Sequence, residues 1–470
     1  MKVLLALPPD VHRCEVYRVI GMNAPPLGLA YIAAILEAHG HKVSIIDSPT
    51  LKVDTKTFIH KVKEFKPDVI GLSIQTPLAP KAYNIAKVIK KESKDIIIIA
   101  GGPHPTYMYE EALNNGIDIV VRGEGEITTA ELLDVLEKYG LSRDKLRKVQ
   151  GIAFKDRDNR VIVTPPRRLI TDLDSLPPPA RHLLPVEKYT LFNKPIKAIH
   201  VMASRGCPYG CIFCITSYFW GRKVRFRSAR KVVDEIEGHV YRQGARYVIF
   251  TDDELVMNRK FIYEFIKEVK ERKLDIVFTC GARVDHVDKD YLKYLYDNGC
   301  IMLYFGVESG SQDTLDKIGK GITIDQSIRV FKWIKELKGH ATASFILGFP
   351  WETVEDLEKT INFAIKLDPS YAQFTVATPY PGTPLYYFAI KNNLIVDRNW
   401  EHYTTITPVM KGFYLDINTI KRYLKQAYRK FYLRWKFIMQ ELKSHKIIDI
   451  MTILLKESLA MISEKLREII

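Results

Sequence analysis

The chain has 470 residues, 47% apolar and 27% charged, and 70 Lys and Arg against 55 Asp and Glu give a formal charge of +15. That is enough apolar material for cores in two or three domains, and the excess charge favours anionic partners: nucleic acid, phosphorylated small molecules or lipid headgroups. No apolar run approaches the ~18 residues of a transmembrane helix, and six cysteines are too few for a secreted disulfide framework.

Residues 1–7 superficially resemble a signal peptide, but the apolar run stops at Pro8-Pro9 without a small-residue cleavage site. They are expected to form a first buried strand of a cytoplasmic protein. An amphipathic helix follows from Pro26 to Gly40, with further strands at 43–46, 69–73, 96–100 and 117–121. Strands alternating with helices predict a doubly wound, flavodoxin-like parallel sheet over residues 1–140, with ligands at the carboxyl ends of its strands. Residues 149–163 predict a small hairpin, and the prolines at 165–166 and 177–179 then break regular structure, giving a linker over 141–195. Alternation resumes with strands at 200–204, 247–251, 276–280, 302–307, 342–347 and 371–377. This predicts a partial or full α/β barrel over 196–390, with its chemistry at the strand carboxyl ends. Within a helical module over 391–470, Ile420, Tyr423, Leu424, Ala427, Tyr428, Phe431, Trp435 and Ile438 recur at helical spacing. Residues 411–470 carry 13 Lys and Arg against 6 Asp and Glu. Abundant Ile and Lys with little Gln is a thermophile-like composition.

The chemistry concentrates in Cys207-Pro-Tyr-Gly-Cys211-Ile-Phe-Cys214, directly after a strand and opened by Arg205-Gly206. Three thiolates can hold three irons of a [4Fe–4S] cluster and leave the fourth open for a small ligand. A zinc site would normally add a fourth Cys or His nearby, and none lies within the following turn; three core cysteines are the other alternative. Cys14, Cys280 and Cys300 share no compact spacing and are expected in the core rather than in a second cluster.

At these residues the sequence resembles the radical S-adenosylmethionine (SAM) superfamily. The resemblance implies that the open iron chelates SAM and that reductive cleavage yields a 5′-deoxyadenosyl radical, which abstracts hydrogen from carbon. It also implies an external electron donor such as a ferredoxin or flavodoxin. Phe213 occupies the aromatic position near the adenine. Asp252-Asp253-Glu254 replaces the family's glycine-rich segment at the SAM amino group, as in the cobalamin-associated branch. Arg283, Glu308 and Ser309 follow at strand ends, with Glu308-Ser309 as a ribose or carboxylate contact, and Gly348 and Pro350 match the adenine-side motif. Each of these also suits ordinary packing at a barrel top. Tyr380-Pro381-Gly382-Thr383-Pro384 is a rigid turn.

The first domain resembles the cobalamin-binding domain fused to such barrels, through Pro25-Pro26-Leu27-Gly28-Leu29, Gly71-Leu72-Ser73, Gly101-Gly102-Pro103-His104 and Arg122-Gly123-Glu124-Gly125-Glu126. Glycines let backbone approach a flat ligand. The resemblance implies corrin contacts from Ser73, Gln75, Thr76, Gly101, Gly102, His104, Gly123 and Glu124; a ligand-free flavodoxin-like domain is the alternative. Asp10-Val-His12 resembles the start of a cobalt-ligating signature, but Glu15 stands where that signature has glycine, so a loop histidine competes with a lower cobalt ligand. The absence of a second cysteine triad in this domain argues against the tRNA methylthiotransferases.

Two reactions begin with the same hydrogen abstraction: methyl transfer from cobalamin to a substrate carbon, and direct coupling of a substrate radical. The aromatic, basic C-terminal helix, with Arg422, Lys425, Arg429, Lys430, Arg434 and Lys436, could receive an amphiphile or lie on an anionic membrane surface, or simply pack on the barrel with a solvated basic face. No RNA-binding module is recognisable, and no nucleic-acid partner is expected. Together with the composition, the chain resembles archaeal enzymes that modify tetraether lipids, which implies ring formation at unactivated isoprenoid carbons. C-methylation is the alternative, and a non-catalytic cobalamin or iron–sulfur sensor is the alternative of another class.

Overall fold

The computed structural model describes residues 1–9, 23–191, 194–195 and 197–443; His12 and Cys14 lie outside these residues. The aliphatic runs of the first domain form β1 (Lys2–Leu7), β2 (Lys42–Asp47), β3 (Val69–Ser73), β4 (Ile97–Gly101) and β5 (Ile119–Val121). They pair in parallel in the order β2-β1-β3-β4-β5. Successive strand residues face opposite sides of a sheet. Val3 and Leu5 therefore pack beneath helices Leu27–Ala38 and Glu126–Tyr139, while Leu4 and Ala6 pack beneath helices Thr55–Phe65 and Ala79–Glu92. The strand order reverses at β1, so the crevice such sheets offer to ligands opens beyond the ends of β1 and β3, at Leu7 and Ser73.

The hairpin expected at 149–163 forms as β6 (Ile152–Lys155) and β7 (Val161–Val163), but it does not stand free as part of a hinge. β6 pairs antiparallel with β5, and the two strands extend the sheet to seven. The apolar residues Ile152, Ala153 and Phe154 explain this, since all three are fully buried against the parallel strands. A two-residue ladder, β8 (Thr190–Leu191) with β9 (Lys194–Pro195), leads into the second sheet.

That sheet consists of β10 (Ala198–Val201), β13 (Tyr247–Phe250), β14 (Val277–Ala282), β15 (Cys300–Glu308), β16 (Ala341–Leu347) and β17 (Tyr371–Val376), all parallel and paired in sequence order. Its outer strands β10 and β17 do not pair with each other, so the barrel is partial. Between β10 and β13, the short antiparallel ladder β11 (Ser204–Arg205) and β12 (Arg225–Phe226) closes the loop that carries the three clustered cysteines. Cys280 and Cys300 are buried in the core of this domain.

An open barrel leaves a strand edge with unpaired backbone groups. The helix Ile417–Tyr432 covers this one: its stripe Ile420, Tyr423, Leu424, Ala427 and Phe431 is buried. Two tyrosines on the helix also substitute for a neighbouring strand. The Tyr428 hydroxyl accepts from Phe374 N at 3.3 Å and donates to Phe374 O at 2.9 Å. The Tyr432 hydroxyl does the same for Ala372 at 3.2 and 2.8 Å. The helix thus packs on the barrel with its basic side outward. No helix among the described residues is long and apolar enough to cross a membrane.

Because each hydroxyl satisfies both a donor and an acceptor of β17, replacing Tyr428 or Tyr432 by Phe should each cost about 1–2 kcal/mol. Urea unfolding checks this, and an unchanged midpoint in the double variant would contradict the edge-capping role.

Candidate functional site

The site lies where the carboxyl ends of the second sheet meet the loop between β11 and β12. The loop's start is fixed by Gly206, whose φ of +102° and proximity to Lys223 O, 2.6 Å from where a Cβ would stand, exclude any side chain. Cys207 N then donates to Gly221 O at 3.3 Å, Ile212 N to Ile318 O at 3.0 Å, and Cys214 N to Cys211 O at 3.2 Å. The three cysteines are unbridged. Burial raises all three thiols, Cys207 to about 11, so protein alone favours the neutral form and only a bound cation would hold three thiolates here. Among the described residues, no three His, Cys, Asp or Glu converge on a single metal ion.

Around this loop the structure gathers most of the residues singled out from the sequence. Asp252, two residues beyond β13, is buried and accepts from Ala203 N at 3.1 Å and from Ser204 Oγ; burial pushes its carboxyl up to about 7. Asp253 reaches solvent, yet the protein surrounding it pushes it up to about 6 against a Thr216 Oγ1 hydrogen bond of 2.9 Å. Arg283 lies 3.4 Å over the Tyr209 ring and is fixed by Asp285 and by Lys320 O at 2.7 Å. Phe213 packs on Phe349 at 5.8 Å. Glu308, at φ +66°, pairs with the buried Lys320 ammonium at 2.7 Å, and Gly306 leaves room for that pair. Burial alone would lower Lys320, but Glu308 and the neighbouring Cys211 raise it on balance, which keeps a cation beside the cysteine loop.

Ser309 behaves differently. Its side chain is fully buried, shares a hydrogen bond with Thr360 Oγ1 at 3.1 Å and accepts from Ser311 N, so it braces the turn after β15 rather than facing the site. Gly348 has φ +87°, and its N–H, like that of Phe349, donates to Glu352 Oε2, at 2.7 and 2.9 Å. Pro350 O accepts from Phe413 N.

Several neighbours of the cysteine loop are not marked by any sequence pattern. Tyr209, between the first two cysteines, contacts His286 Nε2, whose Nδ1 lies 2.9 Å from the buried Glu254. This chain ties the cysteine loop to the ends of β13 and β14. Lys320 and Glu352 belong to no spacing pattern, and only their burial in three dimensions reveals them.

At the crest of the first sheet, Ser73 is half-buried and Gln75 is exposed. Thr76 and His104 are buried together, Oγ1 to Nδ1 at 3.3 Å, and Trp400 covers the imidazole edge-on at 5.1 Å. Gly101 ends β4; Gly102 has φ +102°, and a Cβ there would lie 2.9 Å from Ile74 O. Gly123 has φ +74° and open space where a Cβ would point. Glu124 turns inward: its carboxylate pairs with Arg205 and Arg225 and accepts from Ile170 N at 2.7 Å, so it does not line the crest.

Residues 15–133 match the B12 binding domain family and residues 201–364 the radical SAM superfamily. An uncharacterized methyltransferase of Pyrococcus horikoshii is 40% identical over 95% of each chain. The chain belongs to the radical SAM superfamily and carries a B12-binding domain. It is also 32% identical, over 89% of its length and 76% of the other's, to the anaerobic magnesium-protoporphyrin IX monomethyl ester cyclase of Rubrivivax gelatinosus. Among solved structures, the radical SAM methyltransferase TsrM of Kitasatospora setae shares the fold, with a TM-score of 0.66 at 19% identity over 83% of this chain and 75% of that one.

Glu352 offers a test of the barrel top. Burial raises its carboxyl to about 8, so its stabilising, protonated form is fully present below the ordinary glutamate range and lost as pH rises through about 8. Glu352→Gln keeps an oxygen for the two backbone donors and never ionises. Its melting temperature relative to wild type should therefore rise by a few degrees between about pH 5 and pH 9. A pH-independent difference in scanning fluorimetry would contradict this.

Proposed function

We propose that this radical SAM enzyme is a cobalamin-dependent C-methyltransferase acting on a small or amphiphilic organic substrate. The observation that carries the reading is end-to-end: 95% of the chain, spanning both matched domains, aligns at 40% identity with a relative named as an uncharacterized methyltransferase. Methyl transfer is favoured over the ring formation in a tetraether lipid expected from the sequence, because the relatives at 40% and 32% identity are named as a methyltransferase and a porphyrin-ester cyclase, and neither name points to a tetraether lipid.

The residues fit the groups this chemistry needs. Cys207, Cys211 and Cys214 would each hold one iron of a [4Fe–4S] cluster, a task that needs three spaced thiols rather than a single-ion cage. Asp253, solvent-accessible at the end of β13, would meet the SAM ammonium, with Asp252 fixing the strand end behind it. Phe213, Gly348 and Pro350 would border the adenine, and Arg283 and Glu308 the carboxylate and ribose. Ser73, Gln75, Gly101 and Gly123 would form the corrin bed, where Gly123 leaves open space at the position of a side chain, while Thr76, His104 and Gly102, packed against Trp400 and the Ile74 backbone, would support that crest from beneath. When bound, the cluster supplies the electron for SAM cleavage and the corrin supplies a methyl carrier. The protein's part is to place an ammonium at Asp253, keep a cation at Lys320 beside the cysteine loop, and hold both crests in one orientation.

Anaerobically reconstituted protein given SAM, reductant and hydroxocobalamin should form both 5′-deoxyadenosine and S-adenosylhomocysteine. Cys211→Ala should lose at least a hundredfold in 5′-deoxyadenosine and retain the corrin absorbance. Corrin-bound wild type that forms 5′-deoxyadenosine without S-adenosylhomocysteine would favour the cyclase-type reading, and undiminished cleavage by Cys211→Ala would remove the cluster assignment.

A further inference from the structure

The ladder that closes the cysteine loop contains an electrostatic conflict. Arg205 and Arg225 are directly opposite each other across β11 and β12, and like charges in that register destabilise a sheet pair. Both are buried, at 2% and 6% exposure. Their compensation comes from the other domain. Glu124 Oε1 lies 3.1 Å from Arg205 Nη1 and 2.8 Å from Arg225 Nη1, and Glu126 Oε1 pairs with Arg205 Nη2. The four charges cancel, and further polar contacts hold the cluster: Ile170 N donates to Glu124 at 2.7 Å, and Arg225 donates to Ile170 O and Trp220 O at 2.6 and 2.9 Å, while the buried Nε atoms of Arg205 and Arg225 have no hydrogen-bond partner among the described residues. Trp220 and Tyr31 flank the Arg205 guanidinium at 5.0 and 5.5 Å.

We infer that Glu124 and Glu126 are positioning residues that set the pose of the cysteine loop from the B12-binding domain and so couple occupancy of the two cofactor sites. This rests on the reading above. Arg205 is two residues before Cys207, and Glu124 follows Gly123, whose open, positive-φ backbone lies at the corrin crest. A shift of the Gly123–Glu126 turn on ligand binding would therefore move a carboxylate on which the two-residue ladder depends. Arg205 keeps Glu126, but Arg225 pairs with no other carboxylate among the described residues, so losing Glu124 leaves its charge buried and uncompensated, which is costly in a low-dielectric interior. Coupling between two sites is reciprocal, so cluster assembly must alter corrin affinity by the same factor as corrin alters the cluster site.

The test compares wild type, Glu124→Gln and the charge-balanced Glu124→Gln/Arg225→Gln, each checked for folding by circular dichroism. The readouts are the electron paramagnetic resonance line shape of the reduced cluster with SAM, and the hydroxocobalamin Kd before and after iron–sulfide reconstitution. Wild type should show a Kd change of roughly fivefold or more on reconstitution. Glu124→Gln should reduce that factor to about one and shift the line shape, and the double variant, with Arg205 and Glu126 left as a neutral pair, should recover the wild-type line shape. If Glu124→Gln does not fold, recovery of folding and line shape in the double variant supports the proposal. A wild-type line shape and unchanged coupling in Glu124→Gln, or a double variant no better than the single, would overturn it. A wild-type protein that takes up no iron–sulfur cluster would instead overturn the functional reading itself.

Discussion

Four buried charges, two glutamates from the turn and helix start after β5 and two arginines from the β11–β12 ladder, fix how the halves of this chain face each other. Burial of that kind is unfavourable unless the charges stay paired, so the arrangement tolerates little sliding. A second buried set repeats the principle nearby: Glu235 holds Arg181 at 2.6 Å and Arg227 at 2.7 Å, and Arg227 also reaches Tyr31 Oη at 3.2 Å. On the far side, Trp400 Nε1 donates to Glu111 at 2.9 Å, and the Tyr107 ring occupies the space that a side chain at position 382 would need. The two crests of strand ends are thus held by contacts on both flanks, and the chemistry proposed between them depends on that fixed relation.

Within the second sheet the same economy places function at strand ends. Asp252 holds the start of the cysteine loop through Ala203 and Ser204, Tyr209 ties its middle to His286 and Glu254, and Lys320 stands beside Cys211 while paired with Glu308. The loop has no regular secondary structure over its cysteines, so these side-chain anchors do the work that a helix or strand would do elsewhere. The partial barrel also leaves an edge, and the tyrosines of helix Ile417–Tyr432 satisfy it without closing the sheet.

The local patterns were readable from sequence because they are local. Alternating strands and helices gave both parallel sheets, and the spacing of Cys207, Cys211 and Cys214 marked the loop. What escaped depends on residues far apart in the chain. Glu124 suggests a ligand contact from its glycine-flanked turn, but its partner Arg205 is 81 residues away and makes it an internal counter-ion. Ser309 sits in a motif-like turn, yet its hydroxyl finds Thr360. The predicted hairpin at 149–163 joined the first sheet because its apolar residues had a strand edge to cover. Tyr209 shows the same limit: a ring between two cysteines gives no hint that a histidine and a glutamate from other strand ends will meet it.

The cofactor content of the reconstituted protein tests the two-site arrangement most directly. After anaerobic incubation with iron, sulfide and hydroxocobalamin and removal of excess, elemental analysis with visible spectroscopy should find roughly four irons and one cobalt per chain. Iron without cobalt, or cobalt without iron, would contradict the claim that one chain presents both sites.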